Sequence, residues 1–150
     1  MGTEALHTIG VFQDLDWARR GVAALIADGF EPDTLTIIAQ ASDAGEALIQ
    51  DLLGGPLEHL TLKNVGAVVA KGPLLRDLQG RQGALASTGL AATIGRAGFQ
   101  SHDGYIYEQL LGRGGVLTGV RHEARAADAL ARLHAYGGGN AAIGAWAGRV

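Results

Sequence analysis

Two stretches of the chain carry the same order of apolar and polar positions. Thr8-Ile9-Gly10-Val11-Phe12 runs into a segment with Ala18, Gly21, Val22, Leu25 and Ile26 on one helical stripe, ending at Gly29. Val116-Leu117-Thr118-Gly119-Val120 runs into a second, with Ala126, Leu130 and Leu133, ending near Gly137. Setting Phe12 against Val120 places Ala18 opposite Ala126, Leu25 opposite Leu133 and Gly29 opposite Gly137. Two βα units of this length predict an α+β fold with a ferredoxin-like split βαβ core. That core takes residues 5–40 and 114–148 of one 150-residue domain, and a helical, Gly/Ala-rich insertion over 41–113 joins its halves.

Within this frame, Leu6–Phe12 reads as the first strand and Asp14 as the cap of the first helix, its carboxylate accepting from a first-turn amide. Gly29 reads as a left-handed terminator, Phe30 as the apolar residue folding back, and Pro32 as the stop. In the second strand, Thr34–Gln40, Leu35, Ile37 and Ala39 alternate with Thr34, Thr36 and Gln40. Ser42 or Asp43 caps a short helix that ends by Gly54-Gly55-Pro56. Val65, Val68 and Val69 suit strand and helix alike over Asn64–Lys71, and a helix over Leu74–Gly80 follows the Gly72-Pro73 break. From Ala84 to Ala97, Ala84, Thr88 and Ala92 recur at four-residue spacing, a small-residue face suited to close helix packing. Ser101 caps a helix closed by Gly112, Gly115–Arg121 forms the third core strand, and Ala141–Val150 supplies the last.

Composition narrows the function classes. With 24 Gly but only three Phe, three Tyr and two Trp, the core must be built from many small contacts. A net charge of -3 with dispersed arginines argues against a nucleic-acid partner, which needs a basic face. The absence of cysteine excludes disulfides, thiolate metal sites and thiol nucleophiles, and fits a reducing cytoplasm. Met1-Gly2-Thr3-Glu4 does not read as a signal peptide or a lipidation signal. The uncharged run from Gln82 to Gly95 falls short of the roughly 20 residues a spanning helix needs, so no membrane span is expected.

Three segments carry a family resemblance. They are Gly10-Val11-Phe12 with Asp16, Ala18, Val22, Leu25, Gly29-Phe30 and Leu35-Thr36-Ile37-Ile38-Ala39; Gly66-Ala67-Val68-Val69-Ala70-Lys71-Gly72-Pro73-Leu74; and Tyr107-Glu108 through Leu111 with Gly114-Gly115-Val116-Leu117. Together they resemble the bacterial general stress proteins of the heat-induced, 17M-like family. The long Gly/Ala-rich central stretch of that family is here short and interrupted by Arg76, Asp77 and Arg81. The resemblance implies a stress-related setting and supplies no catalytic residue.

The residues themselves carry no catalytic signature and imply no cofactor. Gly112–Gly115 and Gly137–Gly139 follow helices, the wrong order for a phosphate cradle. The five histidines have no metal-ligand spacing, so no metal residue is assigned. Ser42 and Ser101 fit helix caps, and no serine stands in a Gly-x-Ser-x-Gly elbow.

Two readings follow. The first is a non-catalytic, self-associating stress-response protein, in which the free face of a four-stranded sheet is covered either by the insertion or by a second subunit, with Trp17, Trp146 and the Ala84, Thr88, Ala92 face as candidate contacts. The alternative is a small-ligand or metal-binding sensor with a pocket between insertion and sheet, its polar contacts supplied by His102, Tyr105, Glu108 and His122. His102, Tyr105 and Glu108 recur at three-residue spacing, which places an imidazole, a phenol and a carboxylate along one helix edge. An enzyme with His102 or His122 as general base ranks behind both.

Overall fold

In the computed structural model, which describes residues 6–79, 83–96, 101–121, 125–136 and 146–149, the end signals of the first βα unit act as local chemistry requires. Strand β1 (Leu6–Phe12) leads to α1 (Leu15–Ala27), where the Asp14 carboxylate accepts the Trp17 amide at 2.9 Å. Gly29 ends α1 at φ 94°, and the amides of Gly29 and Phe30 donate back to Ile26 and Leu25. This paired return leaves few orphan carbonyls at the helix end. Pro32–Thr34 forms a single 3-10 turn, so β2 runs Leu35–Gln40 and starts one residue later than predicted.

The remaining elements are α2 (Asp43–Leu52), β3 (Glu58–Leu62), β4 (Gly66–Lys71), α3 (Pro73–Gln79), α4 (Ala84–Thr88), α5 (Leu90–Arg96), α6 (Ser101–Gly112), β5 (Val116–Arg121), α7 (Ala126–Ala135) and β6 (Trp146–Arg149). Ser42 caps α2 by accepting the Gly45 amide. Gly114, at φ 96°, turns the chain out of α6, two residues beyond the predicted terminator Gly112. The sheet has the order β3-β4-β2-β5-β1-β6, and every neighbouring pair is antiparallel. The protein is therefore α+β, with helices on both faces of an antiparallel sheet.

Three expectations are corrected here. The segment 41–113 is not purely helical, because it adds β3 and β4 to the sheet and resolves the ambiguity over 64–71 in favour of a strand. The sheet has six strands rather than four, and helices pack on both of its faces. Phe12, Leu35, Ile37, Val116 and Val120 pack under α1, α2 and α7. Ile9, Val11, Ile38, Val68 and Leu117 pack on the other side under α3, α4, α5 and α6. Five consecutive residues of β2 are buried as a result, and the alternation read there marks two cores rather than one wet and one dry face.

The third correction concerns the small-residue face. Gly89, at φ 95°, divides the predicted continuous helix into α4 and α5, so Ala84 and Thr88 fall on one helix and Ala92 on the next. A Cβ at Gly89 would lie 3.2 Å from the Lys63 Cβ, so the turn passes tightly over the β3–β4 hairpin. Close helix packing does occur, between α5 and α6. A Cβ on Gly104 would sit 2.7 Å from the Ala91 carbonyl oxygen. Among the described residues no helix is long and apolar enough to cross a membrane.

The two repeated units are tied together at their surfaces. Arg132 on α7 forks onto the Asp28 carboxylate at 2.7 and 3.1 Å, while Arg125 donates to the Asp28 carbonyl and lies 4.1 Å over the Phe30 ring. Hydrogen bonding from Arg132, aided by both guanidinium charges, holds the Asp28 carboxyl below its ordinary range.

Candidate functional site

Antiparallel pairing of β2 with β4 sets Ile37 against Lys71, so the start of β2 and the end of β4 meet at one end of the sheet. The α2–β3 connection reaches the same place. Between these segments opens a cleft of about 390 Å³, with an apolar lining of Pro32, Leu35, Leu53, Pro56, Leu57 and Pro73. Its charged groups are Asp33, Glu58, Lys71 and Arg76.

The walls of this cleft are held rigidly. Gly72 turns between β4 and α3 at φ 134°, and a Cβ there would sit 2.5 Å from the Leu35 carbonyl oxygen and against Thr36. Only glycine lets the chain pass so close to β2. Because Gly72 has no side chain to cap α3, the cap comes from the neighbouring strand: the Thr36 hydroxyl accepts the Leu74 amide at 3.0 Å. Opposite, Gly54 and Gly55 turn the loop after α2 at φ 68° and 71°. The half-buried Lys71 ammonium donates to the carbonyls of Leu53 and Gly54, a cation placed at the negative end of α2. Three positive-φ glycines thus converge on one cleft, and backbone of this kind persists where the surroundings fix it.

The charges divide by commitment. Lys71 is spent on main-chain carbonyls. Asp33, Glu58 and Arg76 make no side-chain hydrogen bond or ion pair among the described residues. The arrangement combines an apolar lining with one guanidinium and two carboxylates.

The residues singled out from the sequence lie elsewhere. Glu108 on α6 is only 6% exposed, and its two oxygens accept the Asn64 side-chain amide at 3.1 Å and the Ala91 backbone amide at 3.2 Å. It fastens the β3–β4 hairpin and the start of α5 to α6. Tyr105, at 63% exposure, projects to solvent, because the buried stripe of α6 runs through Gly104, Tyr107, Glu108 and Leu111. The shared edge expected for Tyr105 and Glu108 is therefore split by the burial boundary. His102 lies in α6, with its side chain outside the described residues, as does His122 entirely. No group of three or more potential metal-ligating side chains gathers among the described residues.

Of the proposed contact residues, Trp17 is 36% exposed, with the Arg20 guanidinium 5.1 Å over its ring. It lines a smaller cleft of about 170 Å³ with Gln13, Ala135 and Tyr136. Trp146 opens β6 and pairs with Ile9, its side chain outside the described residues; Thr88 and Ala92 are exposed, and the Ala84 side chain is likewise not described. The cleft residues Asp33, Glu58, Lys71 and Arg76 were not anticipated. Their signal in the sequence is charge placed beside the turn clusters Pro32, Gly54-Gly55-Pro56 and Gly72-Pro73, where loops carry binding groups. Comparison with protein-family models, curated proteins and solved structures finds no match to this chain.

Proposed function

We propose that this chain is a non-catalytic small-ligand-binding module built on a ferredoxin-like core and serving a bacterial stress response in the cytoplasm. The order β6-β1-β5-β2, with α1 joining β1 to β2 and α7 joining β5 to β6, supports the ferredoxin-like reading. The stress setting rests on the resemblance of the three sequence segments to the general stress proteins. The observation that carries the binding role is the preformed cleft between the first core half and the insertion, with Asp33, Glu58 and Arg76 uncommitted at its edge.

Self-association through an open sheet face loses its motive, since α3 to α6 cover that face within the chain. A smaller contact is favoured instead by the exposed Trp17 beside its shallow cleft. Native mass spectrometry of the untreated protein, followed by thermal shifts against metabolites and divalent ions, tests the two readings together. A monomer stabilised by a small molecule, with the effect lost on altering Arg76, supports the binding role. A stable multimer that Trp17→Ala dissociates, with no thermal shift across the panel, overturns it in favour of assembly.

A further inference from the structure

The cleft also indicates what kind of molecule fits it, an inference that rests on reading the cleft as a binding site. Its accessible charges are unequal. The Lys71 ammonium is occupied by the carbonyls of Leu53 and Gly54, which leaves the exposed Arg76 as the uncommitted cation of the lining among the described residues. Asp33 and Glu58 offer two carboxylates with no cationic partner among the described residues. A carboxylate at pH 7 only accepts hydrogen bonds, so this pair calls for a donor cation such as an ammonium. Arg76 calls for the opposite group, and its planar fork matches a carboxylate bidentately.

The same lining carries aliphatic side chains, among them Leu53 and Leu57. A volume of about 390 Å³ is at the small end of ligand sites, too little for a large cofactor to be enclosed. A nucleotide or inorganic phosphate is disfavoured, because a multiply charged anion would meet two carboxylates for one guanidinium. A purely apolar molecule would make no use of the three charges.

We infer that the cleft binds a zwitterion with an aliphatic body, a free amino acid or short peptide, with its carboxylate on Arg76 and its ammonium towards Asp33 and Glu58. The ligand buries its side chain over Leu53 and Leu57 and brings both charges already in place. Because all three recognition groups sit at the rim, affinity is modest and falls with added salt.

The full chain is titrated with the peptide dileucine by calorimetry, alongside its N-acetylated and C-amidated forms. Dileucine is expected to bind, and each blocked form to bind about tenfold more weakly. Arg76→Gln should reproduce the loss caused by amidation and show little further loss with the amidated peptide. Asp33→Asn with Glu58→Gln should do the same for acetylation, and thermal melts report whether each variant is folded. Equal binding of free and blocked peptides, or loss in both forms on Arg76→Gln, overturns the charge assignment. An NMR fragment screen following the Leu53 and Leu57 methyl signals separates the two levels of inference. If uncharged fragments perturb those methyls and no amino acid or dipeptide does, the zwitterion is wrong and the cleft stands as a binding site. If nothing perturbs them, both fail.

Discussion

Two threonines on adjacent strands make opposite predictions for the same substitution. Thr36 and Thr118 are both fully buried near the middle of the sheet, on β2 and β5. The Thr36 hydroxyl accepts the Leu74 amide, whereas the Thr118 hydroxyl has no hydrogen-bond partner among the described residues. Leaving a buried hydroxyl unpaired costs about 1–3 kcal/mol. Replacing it with a methyl adds apolar burial worth about 0.8 kcal/mol. Allowing for imperfect fit, Thr118→Val is expected to stabilise the fold by about 1–2 kcal/mol. At roughly 2–4 °C per kcal/mol for a chain of this size, the melting temperature rises by about 2–8 °C. Thr36→Val removes a side-chain cap of α3 and strands a buried amide, and should cost about 1–3 kcal/mol. Urea denaturation followed by far-UV circular dichroism measures both, with an unchanged slope showing that the unfolded state is unaffected. A neutral or destabilising Thr118→Val would show that the hydroxyl is bonded, for example to an internal water, and would refute the reasoning.

Gly72→Ala forces a side chain into backbone at φ 134° and against β2; strain of about 1–3 kcal/mol and a clash of similar size predict a loss of about 2–6 kcal/mol, and a loss below about 1 kcal/mol by chemical denaturation would contradict the close approach. Glu108→Gln keeps one acceptor for the Ala91 amide and can donate to a flipped Asn64, so it should cost about 1 kcal/mol, while Glu108→Ala strands both donors and should cost about 2–4 kcal/mol; equal losses would discount the two-armed contact. The Asp28 carboxyl is lowered on folding, so its contribution is complete above the unfolded carboxyl's range and disappears as pH falls through the lower folded value. The stability difference between the wild type and Arg132→Gln should accordingly close below about pH 4 in pH-resolved melts, and a gap that widens in acid would reverse the sign.

The parts of the fold that could be read from the sequence are those whose signals are local. Asp14 before an apolar stripe and Gly29-Phe30 after it mark both ends of α1 without reference to the rest of the chain. The β3 strand has no such mark, since Glu58-His59-Leu60-Thr61-Leu62 is a short edge strand with a single apolar side. Ile38 illustrates a different limit: its burial comes from helices supplied by the insertion, which β2 itself cannot announce. At Gly89, four-residue spacing was the weaker signal, and the glycine inside the run carried the real boundary. The cleft was hidden for the same reason as β3. Its charges come from three separate segments that meet through the pairing of Ile37 with Lys71 and of Glu58 with Ala70, and no spacing along the chain records those pairings.

The strand order also governs when the protein can fold during synthesis. Strand β1 lies between β5 and β6, which start 110 and 140 residues after it, whereas β2, β4 and β3 are close neighbours along the chain. The β2–β4–β3 sheet and its helices can assemble while the last third is still inside the ribosome. Through that interval Leu6–Phe12, with Ile9, Val11 and Phe12, has no strand to pair with. The nascent chain therefore carries β1 without its strand partners until β5 has been made.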